Sequence, residues 1–227
     1  MAIQADDDTA APAPSPLGTQ EPTVLGTHTL YVVRHGQTDW NKSRRIQGAT
    51  DIPINAKGRD QARRNGGVLA DLLIDPALGD AAAQTGHLNF IASPFSRARE
   101  TMEIVRATMG LPRHGYSTDP RIAELRFGDW EGRTWTDLRA SETPGVAAYD
   151  ADRFGFCPPG GESYADLTAR VMEWYDALTS DTVVVTHGGT SRALRVGVFG
   201  LDRSAVADMS APQDQVLKIA DGQMSWL

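Results

Sequence analysis

Residues 182–189 read TVVVTHGG, an apolar β-branched run that ends in a histidine and two glycines. Two other stretches have the same form, since residues 29–36 read TLYVVRHG and residues 88–97 read LNFIASPFSR. Runs that are apolar almost throughout are typical of strands covered by helices on both faces of a sheet. A segment of helical period follows each run, so the sequence predicts an α/β fold.

The helical segments complete the expected architecture, a three-layer sandwich in which helices flank a largely parallel central sheet. We expect Asn55 to cap a helix over residues 59–74. A second helix is expected from about residue 94, with Ser93 as its cap and Pro94 at its first position. Ser163 begins a capping-box variant that predicts a third helix.

The chain is expected to divide into a tail, residues 1–28, and one domain, residues 29–227. The tail is acidic, rich in Ala and Pro, and holds no Lys or Arg. Its low apolar content cannot offset the entropy of ordering, so the sequence predicts disorder there. It lacks the basic start and apolar stretch of a signal peptide, which predicts a cytoplasmic location. A hairpin around Asp221 and Gly222 is expected at one edge of the sheet.

Composition limits the class of protein. The chain has 227 residues, 41% of them hydrophobic, which suffices for one conventional core. Its apolar runs are far shorter than the roughly 20 residues needed to cross a bilayer, so we expect a soluble protein without a membrane partner. The net charge of -7 argues against a nucleic-acid partner, and nothing indicates an oligomeric state. The single cysteine, Cys157, cannot form an internal disulfide and is expected to be inert.

Chemically capable side chains follow each of the three apolar runs. Arg34 and His35 follow the first run, Arg97 lies beyond the second, and His187 follows the third. The carboxyl ends of parallel strands share one edge of a sheet, so the active site is expected at those ends. Two arginines, a pair of histidines and the N–H groups of helix starts suit a tetrahedral dianion such as a phosphate.

Cleavage of a phosphate monoester also needs a proton donor for the leaving oxygen. The segment 121–132 offers three carboxyl groups, those of Glu124, Asp129 and Glu131. Composition alone does not choose among them.

Four motifs, in this order, resemble those of the histidine phosphatase superfamily, in its phosphoglycerate-mutase-like branch. The first motif is the Arg-His-Gly opening at 34–41, with Arg-Ile-Gln-Gly at 45–48, and the second is the Ser-x-x-x-Arg-Ala-x-x-Thr helix start at 93–101. The third is the Glu-x-x-x-Gly-x-Trp-Glu-Gly loop at 124–132, and the fourth is the Thr-His-Gly strand end at 184–188. The stretch 160–163 also fits, and the resemblance covers roughly residues 29–220. A lone Arg-His-Gly would be a weak signal, whereas four motifs on the predicted elements are specific.

The resemblance implies a role for each matching position. His35 would be the nucleophile and become transiently phosphorylated, and Glu124 would act as general acid and then as base. Arg34, Arg97 and His187 would hold the phosphate oxygens. Substrate-binding roles are further implied for Asn41, Gln47, Gly48 and Gly188. No metal or other cofactor is implied.

The expected function is therefore a metal-independent phosphomonoesterase that hydrolyses small phosphorylated metabolites through a phosphohistidine. A phosphoglycerate mutase is the first alternative, but residues 125–127 read Leu-Arg-Phe where the mutases have Arg-His-Tyr, and the segment after Glu124 lacks a long basic insertion. A non-catalytic phosphate-binding module is a second alternative, although both His35 and Glu124 are present. A metallohydrolase is a third, although Arg34 and Arg97 would repel a cation.

The loops at 37–54 and 125–162 are expected to carry substrate specificity, which the sequence does not define. Phe127, Trp130 and Trp135 lie in the second loop and either line a substrate pocket or pack the Glu124 segment. Packing is favoured slightly.

Overall fold

A computed structural model describes residues 28–227. The predicted acidic tail therefore lies outside the described residues, except for His28. In the described part of the chain one sheet is formed by six strands, β1 (Leu30–Arg34), β2 (Asn89–Ala92), β3 (Ser117–Thr118), β4 (Thr182–Thr186), β5 (Val216–Ala220) and β6 (Gln223–Trp226).

The strand order is β3-β2-β4-β1-β5-β6. Neighbours from β3 to β1 are parallel, β5 is antiparallel to β1, and β6 is antiparallel to β5. The prediction of a largely parallel sheet is thus confirmed. In the register, Thr186 at the end of β4 lies opposite Arg34, and Val185 lies opposite Ala92. The residues that follow β1, β2 and β4 therefore leave the sheet at the same edge.

Helices cover both faces of this sheet, which confirms the three-layer arrangement. The α-helices are α1 (Asp39–Lys42), α2 (Ala56–Leu73), α3 (Ala81–Gln84), α4 (Ser96–Thr108), α5 (Trp135–Ser141), α6 (Thr143–Ala151), α7 (Tyr164–Asp176) and α8 (Gly188–Phe199). Short 3-10 helices span Pro76–Leu78, Pro120–Ile122, Gly128–Trp130 and Arg203–Asp208. No helix of the described residues is both long and apolar enough to span a membrane.

The core consists of two layers separated by the sheet. Alternate β1 residues point to opposite faces, so Tyr31 and Val33 pack in the layer formed with α2 and α4. Leu30 and Val32 pack in the layer formed with α7 and α8. Because β1 and β4 are covered on both sides, most of their residues are apolar.

Two of the expected helix caps are confirmed and one is wrong. Asn55 accepts a hydrogen bond from Gly58 N, and Ser163 forms a full capping box at the start of α7. Helix α4, however, begins at Ser96, and its N-cap residue Phe95 makes no side-chain cap. Asp51 supplies the cap instead, since its carboxylate accepts from Ser96 N at 2.9 and 3.0 Å. Ser93 is thereby free for another partner.

The predicted hairpin is present between β5 and β6. Its two turn residues, Asp221 and Gly222, have φ of 50° and 74°, as a type I′ turn requires.

A third apolar cluster lies beside the main core and contains mostly aromatic side chains. Trp130 is 2% exposed and stacks on Phe156 with ring centroids 5.3 Å apart, while Trp135 stacks on Tyr149 at 4.8 Å. Phe127 packs against the same cluster. The interpretation that these aromatic residues pack the Glu124 segment agrees with this arrangement.

Candidate active site

His35 follows the last residue of β1 and is held in one tautomer. Its Nδ1 lies 2.8 Å from the carbonyl oxygen of Gly36. A carbonyl only accepts, so Nδ1 carries the proton and Nε2 keeps its lone pair. The ring is 2% exposed, and burial, with the charges of Arg97 and Arg34, holds the pKa of His35 well below its usual value. The imidazole is therefore neutral at physiological pH and available as a nucleophile at Nε2.

His187 lies next to His35 at the same sheet edge. The two ring centroids are 5.1 Å apart. Arg97 Nε donates to His187 Nδ1 at 3.2 Å, and Ser93 Oγ lies 2.6 Å from Nε2. Burial, followed by the charge of Arg97, places the pKa of His187 well below its usual value. One bound oxyanion can therefore reach both imidazoles and this guanidinium.

Arg97 lies in the first turn of α4, and its side chain is 0% exposed. Its Nη1 donates to Thr50 O at 2.8 Å and its Nη2 donates to Gly48 O at 2.7 Å. A positive charge at a helix N-terminus is unfavourable unless an anion lies nearby. The Asp51 carboxylate, 3.7 Å from Nη1, supplies part of that compensation. The carbonyl groups of the loop at 48–50 thus hold the guanidinium in place at the sheet edge.

Arg34 presents a buried donor without a partner. Its Nη1 donates to Ala211 O at 2.7 Å, but its Nε is buried and makes no hydrogen bond within residues 28–227. Burial lowers the pKa of Arg34 to about 10, opposed by the charge of Glu124. A Cβ on Gly188 would lie 3.2 Å from this guanidinium, so a glycine lets the start of α8 approach it closely. An unpaired buried N–H is costly, and an anion here would satisfy it.

The three candidate carboxyl groups differ clearly in their surroundings. Glu124 accepts from Gly189 N and Thr190 N, both at 3.3 Å, at the start of α8. Glu131 is occupied by donors from Ala49, Thr50 and Phe127, so it links two loops.

Asp129, the third candidate, lies exposed on the surface. Of the three, Glu124 alone contacts the helix that begins directly after His187. Its charge also raises the pKa values of both Arg34 and Arg97, which places it near both guanidinium groups. Of the three carboxyl groups, Glu124 is thus the one that lies at the site, and its role as proton donor remains a prediction.

The structure brings the other predicted binding residues to the edge of the site. The Gln47 amide lies between Thr38 and Arg97, and it satisfies both when its nitrogen donates to Thr38 Oγ1 and its oxygen accepts from Arg97 Nε at 2.8 Å. The Asn41 oxygen accepts from Thr38 N at 3.1 Å and from Gln213 Nε2 at 3.1 Å. Gly48 contributes its carbonyl to Arg97. Contact of these residues with a substrate remains a prediction.

Four further residues support the site and were not assigned from the sequence. Ser93 contacts His187, Asp51 caps α4, Thr101 accepts from Gly36 N at 3.1 Å, and Gln213 donates to His35 O at 3.0 Å. Ser93 and Thr101 are the outer positions of the Ser-x-x-x-Arg-Ala-x-x-Thr motif, which was a usable signal. No local pattern marks Asp51 or Gln213, because their partners are distant in sequence.

Among residues 28–227, no group of three or more His, Cys, Asp or Glu side chains is arranged to hold a metal ion. The charges of Arg97 and Arg34 act on both imidazoles, and two guanidiniums favour an anion over a cation.

Comparison with known proteins agrees with this geometry. The family model of the histidine phosphatase superfamily (branch 1) matches residues 30–224, so the chain belongs to this superfamily. An enzyme of the phosphatase class is thereby confirmed at the level of the family.

Two curated relatives have different names. A probable phosphoglycerate mutase GpmB of Erwinia tasmaniensis is 31% identical over 87% of each chain. A glucosyl-3-phosphoglycerate phosphatase of Mycolicibacterium vanbaalenii is 30% identical over 76% of this chain and 74% of its own.

Solved structures share the fold. Bacillus stearothermophilus YhfR has a TM-score of 0.68 at 28% identity and matches 88% of this chain and 95% of its own. A structure described as mycobacterial hydrolase 1 has a TM-score of 0.69 at 25% identity, over 88% and 96%.

Proposed function

We propose that this chain is a metal-independent phosphomonoesterase that hydrolyses small phosphorylated metabolites through a phosphohistidine on His35. One observation carries the proposal. A buried neutral imidazole, with Nε2 unprotonated, lies beside two guanidiniums, and one of these has a buried N–H that makes no hydrogen bond to any described residue. Such a pocket suits a phosphate dianion and presents a nucleophile to it.

In the first step His35 Nε2 attacks phosphorus, and the bond from phosphorus to the ester oxygen breaks. The carboxylic acid of Glu124 gives its proton to the leaving oxygen, which departs as an alcohol. Arg34 and Arg97 offset the charge on the non-bridging oxygens. In the second step Glu124 takes a proton from water, the resulting hydroxide attacks phosphorus, and His35 is released with inorganic phosphate.

A phosphoryl acceptor other than water would make the chain a mutase, and the segment 125–162 argues against this. Three of its four arginines form ion pairs with acidic side chains. Arg133 pairs with Glu142 at 3.2 Å, Arg139 with Asp150 at 2.7 Å, and Arg153 with Asp208 at 2.6 Å. Much of the remaining segment is packed in the aromatic cluster. Hydrolysis is therefore the favoured reaction.

The test is a search for the covalent intermediate. Phosphohistidine is acid-labile and stable in alkali, so the enzyme should be quenched in base after mixing with a phosphate ester, and the adduct located by mass spectrometry. We expect the phosphoryl group on His35, with no adduct and at least about 10³-fold lower turnover in His35→Ala. His114→Ala serves as the control, because His114 is an exposed surface histidine with a 79% exposed side chain.

Two further assays separate the alternatives. Phosphate release and isomerisation of 3-phosphoglycerate are measured in parallel, and isomerisation as the faster reaction would favour the mutase. Activity that survives exhaustive chelation supports the metal-independent route. Phosphate binding without turnover across a broad ester panel, or an adduct on serine or cysteine, would contradict the proposal.

A further inference from the structure

The hydrogen bonds of His187 define its protonation pattern. A guanidinium only donates, so the bond from Arg97 Nε requires a lone pair on His187 Nδ1. The ring is neutral, and its one proton must therefore lie on Nε2. That proton is donated to Ser93 Oγ across 2.6 Å. Both groups are buried, His187 at 0% and Ser93 at 0% exposure.

This pattern leaves His187 without an N–H for a phosphoryl oxygen. An oxyanion is an acceptor, and so is Nδ1 in this state, so the two would repel each other. The ring can donate to the anion only after Nδ1 gains a proton. A buried imidazolium is costly unless both its N–H groups are hydrogen-bonded, and Ser93 already accepts from one of them.

Arg97 has another acceptor when Nδ1 is no longer free. The oxygen of the Gln47 amide can accept from Arg97 Nε at 2.8 Å, shorter than the 3.2 Å to His187. The other two contacts of this guanidinium, to backbone carbonyls of the 48–50 loop, do not involve His187. When Nδ1 is protonated, Arg97 Nε can therefore donate to Gln47 alone, while the loop carbonyls still hold its other two nitrogens.

We propose that Ser93 is a positioning residue that holds the Nε2 proton of His187, so that a proton from the bound phosphate monoester adds to Nδ1. The step transfers one proton from the ester to the imidazole. The ester monoanion becomes a dianion, the imidazole becomes an imidazolium, and no other bond changes. The new Nδ1–H then donates to a phosphoryl oxygen. This inference rests on the proposed function, since it concerns the same site.

The surroundings of His187 explain why its Nδ1 is protonated only when the substrate is bound. Burial lowers the pKa of His187, and the charges of Arg97, His35, Arg34 and Arg170 lower it further. The edge of Phe95 covers the ring at 5.5 Å. A phosphate dianion reverses this balance, because it supplies two negative charges in a buried site. The imidazolium therefore forms only beside the anion.

The direct test is nitrogen NMR on enzyme with ¹⁵N-labelled histidine, with His187→Gln used to assign the signals. In the free enzyme at pH 7 we expect Nε2 of His187 to be protonated and Nδ1 bare. With saturating inorganic phosphate, both nitrogens should be protonated. A protonated Nδ1 in the free enzyme would overturn the inference, and so would phosphate binding that leaves Nδ1 bare. Failure of phosphate to bind at all would contradict the proposed function instead.

A second measurement tests Ser93 itself. Ser93→Ala removes the acceptor of Nε2–H, so the inhibition constant for inorganic phosphate should rise about tenfold, as expected for one lost hydrogen bond to a charged group. The phosphate-induced protonation of Nδ1 should weaken with it. Ser93→Thr retains the hydroxyl and should restore both. An unchanged inhibition constant and spectrum in Ser93→Ala would contradict the role. If the variant does not fold, the wild-type spectra decide alone.

Discussion

At the scale of the residue, the position of Glu124 accounts for its two proposed tasks. Its carboxylate accepts hydrogen bonds from the N–H groups of Gly189 and Thr190, at the start of the helix that follows His187. It also acts electrostatically on Arg34 and Arg97. A carboxyl group at this position can release a proton and later take one from water.

Glu124→Gln should therefore lower turnover in a way that depends on the leaving group. For alkyl phosphates, whose alkoxide needs a proton, kcat should fall by about 10²–10⁴-fold. For 4-nitrophenyl phosphate the first step needs little acid, so the phosphohistidine should accumulate as a burst. Steady-state and rapid-quench kinetics on both esters measure the difference.

Asp129→Asn is the matched control, because Asp129 is an exposed carboxylate in the same loop. It should retain the wild-type rate on both esters. Equal losses in Asp129→Asn and Glu124→Gln would exclude Glu124 as the specific proton donor.

At the scale of the element, the start of α4 couples stability to catalysis. Asp51 caps this helix through Ser96 N and Ser96 Oγ, and it lies 3.7 Å from Arg97 Nη1. One exposed loop carboxylate thus fixes both the helix terminus and the adjacent guanidinium.

We expect Asp51→Ala to lower the free energy of unfolding by about 1 kcal/mol, the usual cost of a lost cap. It should also lower kcat/KM, because Arg97 is next to the freed terminus. Denaturant unfolding and kinetics on one ester measure the two effects. Asp80→Ala removes the cap of α3, where Asp80 accepts from Ala82 N at 2.9 Å, and should affect stability alone. A wild-type kcat/KM in Asp51→Ala would show that the cap does not position Arg97.

The same helix shows where prediction from sequence succeeds and where it stops. The strand that precedes it and the arginine in its first turn follow from local patterns. Its cap could not be predicted, because Asp51 lies 45 residues before Ser96 and a local rule selects Ser93. The partner of Ser93 is more distant still, since His187 is 94 residues away. Hydrophobic period thus predicted the elements, whereas the contacts between loops that orient the side chains depend on tertiary packing.

At the scale of the whole molecule, the site concentrates positive charge in a chain of net charge -7. Arg97 is buried at the sheet edge, Arg34 is half-buried there with its Nε buried, and neither forms a hydrogen bond to a carboxylate among residues 28–227. Removing these charges from water costs free energy in the folded protein, and a bound anion would offset that cost. Anion binding should therefore stabilise the whole fold, since the unfolded chain has no such pocket.

Inorganic phosphate at about 100 times its dissociation constant should add about 2.7 kcal/mol to the free energy of unfolding. For a chain of this size that corresponds to a rise in Tm of about 5–10 °C. Thermal unfolding with increasing phosphate, against sodium chloride at equal ionic strength, measures the effect. Arg34→Met should abolish most of the rise, because it removes the unpaired Nε donor. Arg139→Met, which alters only a surface pair with Asp150, should retain it. A rise of equal size in sodium chloride, or in Arg34→Met, would show that the stabilising anion binds elsewhere.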